Sequence, residues 1–245
     1  MRFLFLAIAA AAVATPASAE VALGVYLGWN DSLKSDVGVT GPGGTDFTIA
    51  DTPWKGLSLP GDDGAPYYGF RGTYWFNEGA SLGLMLDYTH MKVQAEPGAI
   101  VALSGDTGAS LVAPGAYPVS ALFNRLELTH GVTAITANAL YRTAPMGRFA
   151  PYAGAGLGVT IPHIEVDGSA LTDLPYTYQY GFGGATAQGF IGADFRLSRR
   201  VSLFGEYKLN YSRVRADLSD ETYRVKTNLL TNQLLFGVAV HFGRK

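Results

Sequence analysis

Two short strings of similar residues hold half of the chain's four histidines. They are Asp87–His90 (DYTH) and Glu127–His130 (ELTH), and each contains an acid, a hydrophobic residue, a threonine and a histidine. A third histidine, His163, is followed two residues later by Glu165. Imidazole and carboxylate groups together can bind a divalent transition metal or act as acid and base. These segments are therefore the candidates for chemistry.

The strings lie in or beside segments where apolar and polar residues alternate, which is the pattern of a β-strand with one polar and one apolar side. Eight segments of about ten residues show this alternation, a number that matches the smallest outer-membrane barrels. They are Val21–Trp29, Tyr68–Phe76, Leu82–Thr89, Ile135–Tyr141, Tyr152–Ile161, Gln188–Leu197, Val201–Asn210 and Gln233–Phe242.

The connections between these segments alternate between short and long, as in outer-membrane barrels with periplasmic turns and extracellular loops. The short ones are Asn77–Ala80, Thr143–Arg148 and Ser198–Arg200, and the long ones are Asn30–Ala65, Gln94–Ala121, Glu165–Gly184 and Arg215–Lys226. The sequence therefore predicts an all-β fold, an eight-stranded antiparallel transmembrane β-barrel with long extracellular loops. The alternative is a soluble lipocalin-like barrel with its apolar side inward. Few charges per polar side, with glycines between them, favour the narrow lumen of a membrane barrel.

The N-terminal residues have the pattern of a secretory signal peptide. Arg2 precedes an apolar stretch from Phe3 to Ala14, and Ala17–Ala19 (ASA) is a small-residue cleavage signal. We expect residues 1–19 to be removed and residues 20–245 to form the barrel in the bacterial outer membrane. Loss of Arg2 changes the formal net charge from −2 to −3. No basic run or basic face indicates a nucleic acid partner.

The composition excludes several kinds of site. The chain has no cysteine, which rules out disulfides, thiol catalysis and cysteine metal ligands. Charged residues make up 16% of the chain, against about 25% in soluble domains. Six of them fall on the polar sides of the predicted strands and are expected to form a charge network in a narrow lumen. They are Arg71, Asp87, Asp194, Arg196, Glu206 and Lys208.

Strand register groups three histidines at the extracellular rim. If the long loops and short turns join neighbouring strands, His90 lies across from His130, His130 lies near His163, and Glu165 lies near Glu127. Residues three apart on a strand face opposite sides, so each acid faces away from the histidine of its own string unless a bulge intervenes. The same alternation places His90 and His163 on the lipid-facing side and His130 on the lumen side.

Two further residues affect this prediction. Pro162 is a candidate to reset the alternation before His163, since proline in strands marks edges or bulges. The fourth histidine, His241, is expected at the opposite end of the barrel as an ordinary interfacial residue.

Several stretches together resemble the lipid A oxidase family of outer-membrane enzymes. The similar stretches are Ala65–Phe76, Asp87–Val93, Leu126–Arg142, Phe149–Val166, Ser202–Ser212 and Thr231–Phe242. The positions most like family signatures are Thr129, His130, Gly131, Asn138, Pro162 and His163.

The resemblance implies an oxygen-dependent oxidation of the proximal glucosamine of 1-dephosphorylated lipid A to 2-aminogluconate, with hydrogen peroxide as by-product. The partner would be lipid A or lipopolysaccharide in the outer leaflet, and molecular oxygen the co-substrate. The chain has no flavin or nicotinamide motif. We hypothesise that His130 and His163, with Glu127 or Glu165, hold a divalent metal. His90, His130 and Glu127 are the catalytic candidates, with His90 as ligand or base.

Two other classes of function fit the same predicted barrel. One is a non-enzymatic structural or adhesive surface protein, in which the rim histidines are incidental. The other is a lipid A hydrolase or acyltransferase, which would require a serine nucleophile beside a rim histidine. No His-x-Ser sequence occurs on a predicted strand.

Overall fold

A computed structural model describes residues 19–56, 67–77, 79, 81–108, 112–218 and 222–243. Within these ranges the chain forms strands and one short helix, α1 (Val119–Leu122). The strands are β1 (Glu20–Thr40), β2 (Asp46–Gly56), β3 (Tyr67–Trp75), β4 (Ser81–Ala95), β5 (Ile100–Asp106), β6 (Gly115–Pro118), β7 (Phe123–Arg142), β8 (Phe149–Gly168), β9 (Thr177–Tyr180), β10 (Gly184–Arg196), β11 (Val201–Asp217) and β12 (Arg224–Phe242). Apart from Ala19, the predicted signal peptide lies outside the described residues. No described helix is both long enough and apolar enough to cross a membrane.

Eight of the strands form a closed antiparallel ring. Their order is β1, β3, β4, β7, β8, β10, β11 and β12, and β12 pairs with β1 to close the ring. Closure leaves no free edge among these strands, so their backbone groups are paired around the barrel. The predicted eight-stranded barrel is thereby confirmed.

The apolar side of each strand faces outward, as a lipid-exposed barrel requires. Leu84 on β4 is 55% exposed and Leu157 on β8 is 72% exposed, although both are large hydrophobic residues. On β4 this lipid-facing band runs from Leu82 to Tyr88. Its outward side chains are aliphatic up to Leu86 and aromatic at Tyr88, and the next outward position is His90. The lipocalin-like alternative, with its apolar side inward, is therefore wrong.

Three of the predicted long loops contain further strands. Strand β1 continues to Thr40 and turns back as β2, which also pairs with β4 and β5, and β5 pairs with β6. Strand β9 pairs with β8. The sequence analysis predicted these connections only as long loops; the extended backbone within them forms strands because it finds hydrogen-bond partners there. Residues 57–66 of the first predicted loop lie outside the described part of the chain.

The middle of the lumen holds the predicted charge network. Arg71 donates two hydrogen bonds to Glu206, at 2.6 and 2.9 Å, and Lys208 Nζ lies 2.5 Å from Asp87 Oδ2. Tyr26 donates its hydroxyl hydrogen to Asp87 Oδ1 at 3.0 Å. Each buried charge therefore has a partner of opposite sign, which is the condition for burying it.

A second polar layer lies at the end of the barrel with the short turns. Glu20 accepts hydrogen bonds from Arg142 at 2.8 Å and from Arg196 at 2.6 Å. His241 Nδ1 lies 2.5 Å from Glu20 Oε1, and its side chain is buried. Its Nε2 is hydrogen-bonded to Ser202, which in turn donates to Asp194. The prediction that His241 is an interfacial residue was therefore wrong, because its position alternates inward with Gln233 and Leu235.

The extracellular half of the barrel is filled with hydrophobic side chains. This core includes residues from both the ring and the folded-back strands, such as Phe47, Ile49, Met91, Leu128 and Leu229. An eight-stranded barrel encloses only enough room for its own side chains. The described residues are therefore packed without a wide pore, as predicted, and functional groups in this half lie at the rim or on the outer wall.

Candidate functional site on the outer wall

A bulge in β7 lies at the centre of the candidate site. Glu127 pairs with Glu165 of β8, and the next pair is Val132 with Pro162, so β7 uses five residue steps where β8 uses three. The additional residues fall around His130 and Gly131. Gly131 has a φ of +114°, a conformation that favours glycine. The bulge therefore depends on a glycine directly after the histidine.

The bulge changes which side of the barrel His130 faces. Leu126 and Leu128 point into the hydrophobic core, so Glu127 faces outward. His130 contacts Glu165, which lies on the outward side of β8 with His163. The predicted lumen-side position of His130 was wrong, because the alternation is reset in β7 and not at Pro162. Glu127 and His130 thus share the outer wall.

Glu165 is the acceptor that organises this group of residues. Its Oε1 accepts a hydrogen bond from Thr129 Oγ1 at 2.8 Å and a very short one from His130 Nδ1. Its Oε2 accepts from Arg125 Nη1 at 2.9 Å. Burial raises the pKa of Glu165, but the hydrogen bonds from His130, Thr129 and Arg125 outweigh it and leave the pKa below its usual value. Glu165 is therefore a carboxylate near neutral pH.

Tyr178 of β9 completes a chain of three hydrogen-bonded groups. It lies across from Glu165 in the β8–β9 pairing, and its hydroxyl oxygen is 2.7 Å from His130 Nε2. Because the Glu165 carboxylate accepts at Nδ1, a hydrogen lies on that nitrogen, and in this tautomer Nε2 accepts the Tyr178 hydroxyl hydrogen. A Tyr–His–carboxylate chain can move a proton between the phenol and the imidazole. Sequence reasoning missed Tyr178, although every second residue from Tyr176 to Tyr180 is a tyrosine.

His163 lies beside this chain. Its ring centroid is 4.9 Å from that of His130, and it packs edge-on to Tyr178 and Tyr180 at 4.4 Å each. Its Nδ1 is 3.8 Å from Glu165 Oε1 and makes no hydrogen bond among the described residues. Burial lowers the pKa of His163, and the nearby His130 lowers it further. His163 is therefore a neutral imidazole with an unused nitrogen.

Three of these residues form a group with the composition of a metal site. One ligand atom from each of His130, His163 and Glu165 lies within 4.8 Å of the others. Two imidazoles and one carboxylate are a donor set typical of divalent transition metals. The unused Nδ1 of His163 is consistent with this role, since buried nitrogens normally have a partner. The three predicted metal ligands are thus brought together, while Glu127 lies directly across the β7–β8 pair from Glu165 and outside this group.

A polar cavity of about 370 Å³ opens next to the group. Glu127 and Glu165 both line it, and Arg125 Nε lies 3.2 Å from Glu127 Oε1. Burial raises the pKa of Glu127, and the neighbouring Glu165 carboxylate adds to the rise against the opposing charge of Arg125. The two carboxyl groups therefore have pKa values shifted in opposite directions, an arrangement common where one acts as acid and the other as base.

A larger hollow of about 640 Å³ lies elsewhere, on the lipid-facing wall between β8, β10 and β11. It is lined mainly by apolar side chains, including Ile191 and Phe236. These side chains are part of the membrane-facing surface, so the polar cavity is the better candidate for chemistry.

His90 stands apart from the group. Its register partner on β7 is Thr133 and not His130, because the β4–β7 register runs unbroken from Ser81–Arg142 to Met91–Val132 and the bulge begins only beyond it. Its ring stacks on Tyr68 at 4.8 Å, and its Nδ1 is 3.2 Å from Thr133 Oγ1. His90 lies one outward position beyond Tyr88, at which the lipid-facing band ends. Burial of the ring and the charge of Lys92 lower the pKa of His90 to about 4. His90, which was predicted as a ligand or base, therefore packs against Gly131 of the bulge.

The family of proteins that the chain matches agrees with this architecture. The sequence profile of the outer membrane protein beta-barrel domain matches residues 3–242. Neisserial surface protein A is similar in structure, with 14% identity and a TM-score of 0.42, over 91% of this chain and 97% of that protein. The N-terminal β-barrel domain of OprF from Pseudomonas aeruginosa has 12% identity and a TM-score of 0.41, over 91% and 97%.

A third similar structure is Ail, the attachment invasion locus protein of Yersinia pestis, solved with the heparin analogue sucrose octasulfate. It has 11% identity and a TM-score of 0.38, over 92% of this chain and 99% of Ail. No curated protein sequence matches the chain.

Proposed function

Because the chain belongs to the outer membrane protein beta-barrel domain family, we propose that it is an enzyme acting on lipid A at the surface of the bacterial outer membrane. The reaction would be that of a lipid A oxidase, which oxidises the proximal glucosamine of 1-dephosphorylated lipid A to 2-aminogluconate with molecular oxygen. Export would use residues 1–19 as a cleaved signal peptide. The observation that carries the proposal is the Tyr178–His130–Glu165 chain on the outer wall.

The height of the site suits a substrate in the outer leaflet. On the outward side of β8, Val159 is exposed in the lipid-facing band, and His163 follows two outward positions later. At about 3.4 Å per residue this is about 14 Å further along the strand, or about 10 Å along the membrane normal for a strand tilted by about 45°. Lipid head groups and not acyl chains occupy that level. A glucosamine of lipid A would reach the site without entering the lumen.

The hydrogen-bonded chain offers the proton transfer that the oxidation needs. At the anomeric carbon, the hydroxyl gives up its proton, and the electron pair of the C–H bond passes to oxygen. Oxygen gains two electrons and two protons and leaves as hydrogen peroxide. The sugar becomes a lactone, which water opens to the aminogluconate. Without a metal on its ring, His130 Nε2 would be the proton acceptor, reached directly or through the Tyr178 hydroxyl, and Glu165 would stabilise the resulting imidazolium. A metal bound to His130 would occupy the lone pair of the imidazole, and Glu127, the neighbouring carboxylate, would then accept the proton.

A metal ion would explain how oxygen reacts without an organic cofactor. We propose that His130, His163 and Glu165 hold a divalent transition metal, with Glu127 as a neighbouring carboxylate. Two histidines and one carboxylate are the donor set of non-haem iron(II) oxygenases, which leaves positions open for other ligands. Such an ion would supply oxygen binding and electron transfer. The chain's own residues would orient the sugar and accept its proton.

Mass spectrometry of lipid A tests the reaction. The protein would be expressed in a host whose lipid A lacks the anomeric phosphate, and the expected product is heavier by one oxygen atom. The variants His130→Ala and His163→Ala should give no product while migrating on unheated gels as folded barrels. Full oxidation by both variants contradicts the proposed site. An acyl-sized mass change would instead support a hydrolase or acyltransferase, and an unchanged mass a structural or adhesive barrel.

Metal content tests the ligand set independently of activity. Purified protein would be stripped with a chelator, reloaded with iron(II) under anaerobic conditions and analysed for bound metal. We expect one ion per chain in the parent protein and none in His163→Ala. His90→Gln is the matched control, since His90 lies outside the group and should leave the metal bound. Equal loading of His163→Ala and the parent would refute the metal site.

A further inference from the structure

A group of basic side chains lies on the outer wall in a second place, on β11 and β12. Arg213 and Arg215 occupy successive outward positions on β11, and Lys226 occupies one on β12. Arg215 and Lys226 are direct cross-strand partners. Like charges in this relationship destabilise a sheet unless an anion lies between them. None of the three makes an ion pair within the described part of the chain, whereas the neighbouring Arg224 is held by Asp217 at 2.6 Å.

These cations stand directly above the lipid-facing surface. The outward side of β11 reads Tyr207, Leu209 and Tyr211, all partly exposed, before it reaches Arg213. Two residues of β-strand cover about 7 Å, so Arg213 and Arg215 lie at the level of the lipid head groups. Tyrosines followed by cations are the sequence expected where a barrel wall leaves the acyl chains and meets anionic head groups.

The geometry of Lys226 fixes one of these charges in place. Its partner on β1 is Gly38, and a Cβ added there would come within 2.5 Å of Lys226 Cε. The aliphatic part of the lysine therefore lies across bare backbone, which a larger residue would not permit. The nearest carboxylate on β1, Asp36, accepts a hydrogen bond from the Asp51 backbone N–H at 3.0 Å. Lys226 is thus held on the wall, and neither it nor the two arginines forms an ion pair with a carboxylate among the described residues.

Strand β9 joins this basic surface to the candidate site. On one side β9 pairs with β8, and on the other Gln179 donates a hydrogen bond to the Asp217 carbonyl of β11 at 2.6 Å. The side chains of Tyr178 and Tyr180 face outward between the two, with exposed fractions of 47% and 65%. Both tyrosines contact His163 on the β8 side, and Gln179 links β9 to β11, so β9 lies between the candidate site and the basic surface.

We propose that Arg213, Arg215 and Lys226 bind the phosphate groups of an outer-leaflet glycolipid, lipopolysaccharide, and hold its sugars across Tyr178 and Tyr180. Charge complementarity favours this occupant, since the surface presents three cations that form no ion pair with any described residue, at the level where glycolipid phosphates lie. The role of this surface in holding the substrate rests on the proposed function, whereas its binding of lipopolysaccharide does not.

Binding to defined lipids tests the surface. The parent protein in phosphatidylcholine nanodiscs would be titrated with lipid A that retains its distal phosphate, and the dissociation constant measured from tryptophan fluorescence. The triple variant R213Q/R215Q/K226Q should bind about tenfold more weakly and lose most of the salt dependence. The matched control is R199Q/R200Q, which removes exposed charges from the short turn at the opposite end of the barrel and should bind like the parent.

The outcomes separate the two proposals. Unchanged affinity in the triple variant, or equal affinity of the parent for phosphate-free lipid A, would overturn the phosphate surface. Equal affinity for phosphatidylglycerol would also overturn it, because it would indicate a general attraction to anionic lipids. A parent protein that binds lipid A through these cations but never oxidises it contradicts the oxidase and leaves the surface standing.

Discussion

Gly131 of β7 lies directly against the imidazole ring of His90 on β4, so that a Cβ at position 131 would overlap the ring. Its φ of +114° adds a backbone conformation that other residues avoid. Gly131→Ala should therefore reduce the free energy of unfolding by about 1–3 kcal/mol and displace His130. Urea unfolding in lipid vesicles measures the first effect, and the rate of lipid A oxidation measures the second.

Two further variants divide this effect into its causes. Gly147 also has a positive φ, +66°, but a Cβ there would meet nothing within 4 Å. Gly147→Ala therefore reports the backbone cost alone and should leave oxidation unchanged. In the double variant G131A/H90A the overlap is relieved, and part of the lost stability should return. If G131A and G147A behave alike, contact with His90 does not hold the bulge.

The hydroxyl group of Tyr178 is the second target. Tyr178→Phe keeps the ring beside His163 but removes the donor to His130 Nε2. We expect kcat/KM for lipid A oxidation to fall by about 100-fold, the lower range for loss of a proton-transfer group. Tyr180→Phe is the matched control, because the Tyr180 ring packs against His163, as the Tyr178 ring does, without a hydrogen bond to that histidine. Comparable rates for the two variants would exclude the hydroxyl from the reaction.

The lumen network should support stability and not activity. Glu206 accepts from both Arg71 and Tyr152, and its side chain is fully buried. Glu206→Gln leaves a buried guanidinium with a weaker partner and should cost about 3 kcal/mol of unfolding free energy. Asp217→Asn breaks an exposed ion pair and should cost at most about 1 kcal/mol. Equal costs in vesicle unfolding experiments would mean that the network does not hold the barrel together.

Acid should weaken the bulge through His90. Burial lowers its pKa to about 4, below the usual value of about 6.5, so the unfolded chain binds a proton first. The stability that a neutral His90 contributes is therefore complete above pH about 6.5 and is lost as the pH falls toward about 4. His90→Gln should show less loss between pH 7 and pH 5 than the parent. Parallel curves for the two proteins would assign the acid sensitivity to other groups.

The ring of eight strands could be predicted because its pattern is repeated and strictly periodic. A residue such as Leu84 or Leu157 faces lipid at every second position, and one missed strand would break the alternation of short and long connections. The lumen positions of Arg71 and Lys208 among carboxylates followed from the same alternation, whereas the particular carboxylate that each one contacts did not. Glu20 and Arg142 escaped prediction because each lies at a strand end, where alternation gives little information.

The site was predictable only in part. Placing Glu127 across from Glu165 and His130 near His163 required register alone, and both relationships are present. The side that His130 faces depends on the bulge, which has no periodic signal beyond a single glycine. Tyr178 belongs to a strand that forms only because β8 offers it a free side above the membrane. Its neighbours in space therefore could not be read from its neighbours in sequence.

The position of His130, His163 and Tyr178 on the outer wall determines how a ligand arrives. A molecule anchored in the outer leaflet meets this surface by lateral diffusion in two dimensions, with its acyl chains still among those of other lipids. No energy is spent on extracting it from the bilayer. The rate of encounter then depends on the mole fraction of the lipid in the leaflet and on membrane fluidity, and not on its concentration in the surrounding water.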